Sequence, residues 1–135
     1  MEHTELVSLL SKNDAFESAP PEALRTLVEE SEMTELPDAT YLIQQGNTGE
    51  SIWLLISGEL DILVDDDIVN HMSLRGEVVG EISAVSLTPA TATVRSKGDV
   101  IALRIPQEAL HDVMKTNPEL ASSMLRSMAK YLGRR

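Results

Sequence analysis

Apolar residues follow two kinds of spacing along this chain, and the switch between them marks out its architecture. Leu6, Leu9 and Leu10 recur at helical spacing, as do Leu24, Leu27 and Val28, so the first 36 residues read as helical. Between these stripes, Ser18-Ala19-Pro20-Pro21-Glu22 carries a helix start: a capping hydroxyl, then prolines whose missing N–H costs little in a first turn. Leu36-Pro37-Asp38 closes the region. From residue 40 to 105 the pattern shortens to β-type runs: 41–43, 51–56, 59–64, 68–72, 90–95 and 100–105. Leu60, Ile62 and Val64 share one face, and Ile101, Leu103 and Ile105 another, as in half-buried strands. Gly46-Asn47, Ser57-Gly58, Asp65-Asp66-Asp67 and Lys97-Gly98-Asp99 are the predicted turns.

Helix returns over 106–132. Pro106 suits a first helical turn, with Leu110, Val113 and Met114 as its apolar face. Asn117-Pro118-Glu119 restarts a second helix, with Asn117 as N-cap and a stripe of Leu120, Met124, Met128 and Leu132. Ala121, Leu125 and Tyr131 flank that stripe. The order helices, strands, helices predicts a single α+β domain. Its centre is an antiparallel β-roll, or jelly roll, of about eight strands, with N-terminal helices and a C-terminal helix pair.

Composition narrows the function classes. Hydrophobic residues make up 42% of the 135, ordinary for a folded domain that buries a real core. No apolar run approaches the roughly 20 residues that span a bilayer, and Met1-Glu2-His3-Thr4-Glu5 lacks the basic start of a secretory signal. The absence of cysteine removes disulfide and thiolate chemistry, and together these features favour the cytoplasm. Net charge is −11, from 22 acidic and 11 basic residues. Direct nucleic-acid binding needs a basic footprint that this chain lacks. Arg126, Lys130, Arg134 and Arg135 read as cations complementing a helix C-terminus. His3, His71 and His111 share no ligand spacing, and Asp65-Asp66-Asp67 lacks the alternation of a calcium loop, so no metal site is expected. No nucleophile elbow or Walker loop appears, and no catalytic residue is assigned.

Two stretches carry the specific signal. The first, residues 42–58, is a strand, a glycine-rich hairpin and a second apolar strand. The second runs Gly80-Glu81-Ile82-Ser83-Ala84-Val85-Ser86-Leu87-Thr88-Pro89-Ala90-Thr91-Ala92-Thr93-Val94. Together, in this order, they resemble the two signatures of the cyclic-nucleotide-binding domain family, which includes the catabolite activator protein and the protein kinase A regulatory subunit. The resemblance covers nearly the whole chain. It implies that the second stretch is a phosphate-binding cassette, with the backbone of Ile82, Ser83 and Ala84 near the cyclic phosphate. It further implies that Glu81 accepts from the ribose 2′-hydroxyl, that Thr91 offers a hydroxyl, and that Ala92 lines the pocket. Gly80 fits the pattern as well. Ala90 does not, because it stands where the family carries the arginine that neutralises the phosphate.

Losing one partner of such a charge pair costs about 2–5 kcal/mol, which is roughly 30- to several thousand-fold in affinity. Arg95, five residues along and about 16 Å away on an extended strand, is a poor substitute. Arg75, just before the cassette, is the other candidate cation. The expected function is therefore a non-catalytic regulatory or sensor module with weak or absent affinity for cyclic AMP and cyclic GMP. The pocket then stands empty, holds water, or takes a less acidic ligand, and no cofactor is required. A scaffold or dimerisation domain without a small ligand is the alternative. Implied partners are a small ligand, a second copy through the C-terminal helix, or a fused effector domain.

Overall fold

The structure, a computed structural model, describes residues 1–132, with side chains through residue 129. Helices α1 (His3–Ser11) and α2 (Pro21–Glu29) lead into strands β1 (Glu32–Leu36), β2 (Tyr41–Ile43), β3 (Ser51–Val64), β4 (Asp67–Met72) and β5 (Val78–Val79). A short helix α3 (Glu81–Ser86) precedes β6 (Thr93–Pro106), and α4 (Gln107–Thr116) and α5 (Pro118–Leu132) complete the chain. All pairings are antiparallel, in the order β1-β6-β3-β4, with β2 also on β6 and β5 on β3. This is the expected α+β roll with helices at both ends.

Six strands stand among the described residues where about eight were expected: the six runs read from sequence merge into four, because two predicted turns do not turn the chain, and β1 and β5 are added. β3 runs through Ser57-Gly58, and β6 runs through Lys97-Gly98-Asp99. The two strands stay paired and bend together where their register shifts, between Leu55 and Glu59. Gly58 permits the bend: its φ is +98°, and a Cβ there would lie 2.6 Å from the Asp99 carbonyl oxygen. The predicted run over 90–95 is shortened likewise, since β6 begins at Thr93.

Period-2 alternation along β3 feeds two cores. Ile52, Leu54 and Ile56 meet Leu103 and Ile105 of β6 beneath the helices, packing with Phe16, Leu24, Leu110, Leu120 and Met124. Trp53 and Leu55 point the other way, into the roll, with Leu60, Val94, Val100 and Ala102. Each fully buried Leu or Ile contributes about 1.5–3 kcal/mol by leaving water. Ile101 breaks the expected Ile101/Leu103/Ile105 face, being 37% exposed. On α5, Leu120 and Met124 are fully buried, whereas Leu125 is 58% exposed. The side chains of Lys130, Tyr131 and Leu132, and all of Arg134 and Arg135, lie outside the described residues.

Three local readings change. Glu32–Leu36, read as helical, is a strand pairing Glu32 with Arg104 and Leu36 with Val100; only Leu36 of the five is buried. Ser18 accepts from Arg126 Nη2 at 3.1 Å, and α2 begins at Pro21 behind an extended Pro20 without a side-chain cap. Asn117 does precede α5, which begins at Pro118, and its carbonyl accepts from Leu120 N–H at 3.0 Å, but its side-chain amide donates backward, to Val113 O and Thr116 Oγ1, closing the end of α4. At the β3–β4 turn, Asp65 and Asp66 both adopt positive φ, and Gln45 brackets Asp65 with two hydrogen bonds of 2.8 and 3.1 Å.

Candidate functional site

The cassette starts at Gly80, which stands before α3 with φ +88°. Any Cβ there would lie 2.8 Å from Ile43 Cδ1 and 3.0 Å from Ser51 O, so both the conformation and the space demand glycine. The helix ends at Leu87, also left-handed, whose N–H donates to Ser83 O at 2.9 Å. The chain then runs back as a loop to β6.

That loop is clamped to the 44–50 segment, which is a loop rather than the hairpin read from sequence, because β2 before it pairs with β6 and not with β3. Gly46 N–H donates to Ala90 O, and Ala90 N–H donates to Asn47 O, both at 2.8 Å. Ser83 Oγ accepts from Gly49 N–H at 2.8 Å and donates to Thr88 O at 2.5 Å. Gln45 N–H donates to Thr93 Oγ1 at 2.9 Å. The two stretches singled out in sequence thus form one hydrogen-bonded unit. On its other side α3 is tied to α4: Ala84 O accepts from Gln107 Nε2 at 3.2 Å and from His111 Nε2 at 2.8 Å. A carbonyl only accepts, so His111 carries its proton on Nε2 in this contact.

Between the unit and the roll lies a cavity of about 270 Å³. Gly80, Glu81, Ile82, Ser83, Ala90, Thr91 and Ala92 line it. Ala84 does not: it is fully buried in the core beneath the helices, and its N–H is already bonded to Gly80 O. Sequence reasoning did not name Pro89 of the cassette loop as a site residue, and it missed the opposite wall, made by Ile43, Ile62, Asn70, Met72, Val78, Val79 and Val94. The alternation of Ile62 with Asp61 could have suggested one of these. The rest depend on strand register, including a shift between Ile62 and Leu63 that sequence does not display.

Among the described residues, Glu81 is the one charged side chain lining this cavity. Burial pushes its carboxyl pKa up, and a hydrogen bond from its own backbone N–H partly opposes the shift. Neither nearby arginine faces the cavity. Arg95 sits across β3 from buried Asp61, with Nη2 3.6 Å from Asp61 Oδ2, while His71 Nδ1 lies 2.7 Å from the other carboxylate oxygen. Arg75 Nη2 donates to Met1 Sδ at 3.3 Å. Arg104 lines a separate cleft beside β2 and donates to Ser51 Oγ at 3.0 Å. Ala90, 8% exposed, presents only a methyl group.

Known proteins match this architecture. The cyclic nucleotide-binding domain family matches residues 33–117, more than half of the chain. A CRP-like cAMP-activated global transcriptional regulator of Mycobacterium tuberculosis is 24% identical over 130 residues, covering 93% of this chain and 58% of the regulator. The chain therefore spans a little over half the length of that relative. The sensor domain of the transcriptional regulator DNR from Pseudomonas aeruginosa superposes with a TM-score of 0.82 at 22% identity, covering 98% of this chain and 92% of that one. The regulatory domain of Toxoplasma gondii PKA, crystallised with cAMP, superposes at 0.75 with 23% identity, over 82% of this chain and 44% of that one. By sequence and by fold, this chain belongs to the cyclic nucleotide-binding domain family.

Proposed function

We propose that this domain is a non-catalytic, cytoplasmic regulatory module whose affinity for cyclic AMP and cyclic GMP is weak or absent. The observation that carries this reading is the composition of the cavity: residues 80–83 and 89–92 line it, Glu81 is its one charge among the described residues, and Ala90 offers no cation. A phosphodiester placed there meets a carboxylate and the first-turn N–H groups of a six-residue helix, without a guanidinium. Arg75 and Arg95 are held elsewhere by Met1 and Asp61.

Output runs through α4. The Ala84 carbonyl links the cassette helix directly to Gln107 and His111, so a shift of α3 on ligand binding pulls on the C-terminal helix pair. Titration calorimetry with cyclic AMP and cyclic GMP tests the ligand claim. The expected result is no saturation at micromolar concentrations, and low-micromolar binding of either nucleotide contradicts it.

Leu125, exposed on α5, favours a second reading: a dimerisation or scaffold domain that uses this helix and takes no small ligand. A ligand that raises the melting temperature argues against that reading, because stabilisation requires binding to the folded state.

A further inference from the structure

The cavity's free hydrogen-bonding groups define what fits it. Ser83 Oγ is spent on Gly49 and Thr88, and both backbone groups of Ala90 are spent on the 44–50 loop. Inside, Glu81 remains as an acceptor, half-buried, and the exposed Thr91 hydroxyl adds a second polar group. At the rim, Asn70 has its carbonyl oxygen occupied by His71 N–H at 2.8 Å, which leaves the amide N–H₂ to donate outward. Ile62, Met72, Val79 and Val94 supply apolar walls. At about 270 Å³ the space is near the lower edge of small-ligand pockets, about 300–1,000 Å³.

Charge is disfavoured in either sign. An anion meets Glu81 with no cation to offset it, whereas a cation must shed its water to pair with half-buried Glu81 among apolar walls, a desolvation cost that one carboxylate does not repay. We infer that the cavity takes an uncharged molecule with a compact apolar body, a donor directed at Glu81 and an acceptor directed at Asn70. This rests on the reading that cyclic nucleotides bind weakly or not at all. The raised pKa of Glu81 is consistent with a neutral occupant, since burial already works against the charged carboxylate.

Three probes separate the possibilities: adenosine, uncharged with hydroxyl donors; cyclic AMP, the same body with an anionic phosphate; and phenethylamine, an apolar cation. Calorimetry reads affinity, and fluorescence of Trp53 gives a second readout, since it is the sole tryptophan and pairs with cavity-lining Val79. Adenosine is expected to bind at least about tenfold more tightly than either charged probe, a margin of ~1.4 kcal/mol. Glu81→Leu should weaken adenosine about tenfold. Ile62→Trp, which fills the cavity from a strand rather than from the cassette, should abolish binding, and thermal melting verifies that each variant folds. Tighter binding of phenethylamine, or binding of none of the three at millimolar concentration, overturns this inference and leaves the proposed function standing. Tighter binding of cyclic AMP than of adenosine also overturns this inference, and only cyclic AMP binding at low micromolar concentration overturns the proposed function itself.

Discussion

The two sides of the cassette have different chemistry. Toward the 44–50 loop and α4, its polar groups are paired: Ser83 with Gly49 and Thr88, Ala90 with Gly46 and Asn47, Ala84 with Gln107 and His111. Toward the cavity it presents one carboxylate, the methyl groups of Ala90 and Ala92, and the exposed hydroxyl of Thr91. Holding the loop in place and reading a ligand's charge are therefore separable tasks. The clamping side shares its bonds between backbone groups and the side chains of Ser83, Gln107 and His111, so no single substitution releases the whole loop. The reading side depends on single side chains, so one substitution changes its chemistry and leaves the shape intact.

Breaking the clamping side should cost most. Gly80→Val adds strain at φ +88° to a contact with Ser51 O and Ile43, and should destabilise the domain by about 3 kcal/mol or more in urea unfolding. Ser83→Ala removes the acceptor of Gly49 N–H and the donor to Thr88 O together. It should cost about 1–3 kcal/mol and speed hydrogen exchange at Gly49, while exchange in β3 opposite β6 stays slow.

Altering the reading side should cost nothing or stabilise. Glu81 has its folded pKa raised above 4.5 by burial, so its charged form is penalised in the native state. The stability it contributes is complete below that value and is lost as pH rises through the folded pKa. Glu81→Gln should therefore match the parent in acid and exceed it at neutral pH by about 1 kcal/mol or less. Thermal melts from pH 4 to 8 would show this divergence. Equal curves across the range would mean that the carboxyl carries no burial penalty.

The same contrast explains what could be read from the chain. Gly80-Glu81, Thr88-Pro89 and the glycines of the 44–50 loop carry local backbone demands, and these are visible in sequence as residue types. Ala90, where the resemblance leads one to expect an arginine, is visible for the same reason. The far wall of the cavity is not, because Asn70, Met72, Val78 and Val79 reach it through strand pairing and a register shift. Ser57-Gly58 and Lys97-Gly98-Asp99 have turn-forming composition, yet the structure uses them to bend long paired strands. Glu32–Leu36 has too few buried positions for either period to stand out, and its partner lies about 70 residues away in β6. Asn117 could cap either neighbouring helix, and only the packed structure shows its amide turned back onto α4.

The central claim is that one methyl group separates this cavity from one that reads a phosphate. Calorimetry of cyclic AMP against the parent chain and Ala90→Arg tests it most directly. The parent should show no saturable binding at micromolar concentrations, and the variant should gain roughly 30-fold or more, the inverse of about 2 kcal/mol lost with an arginine–phosphate pair. Low-micromolar binding by the parent, or a folded Ala90→Arg variant that still ignores the nucleotide, would contradict the claim.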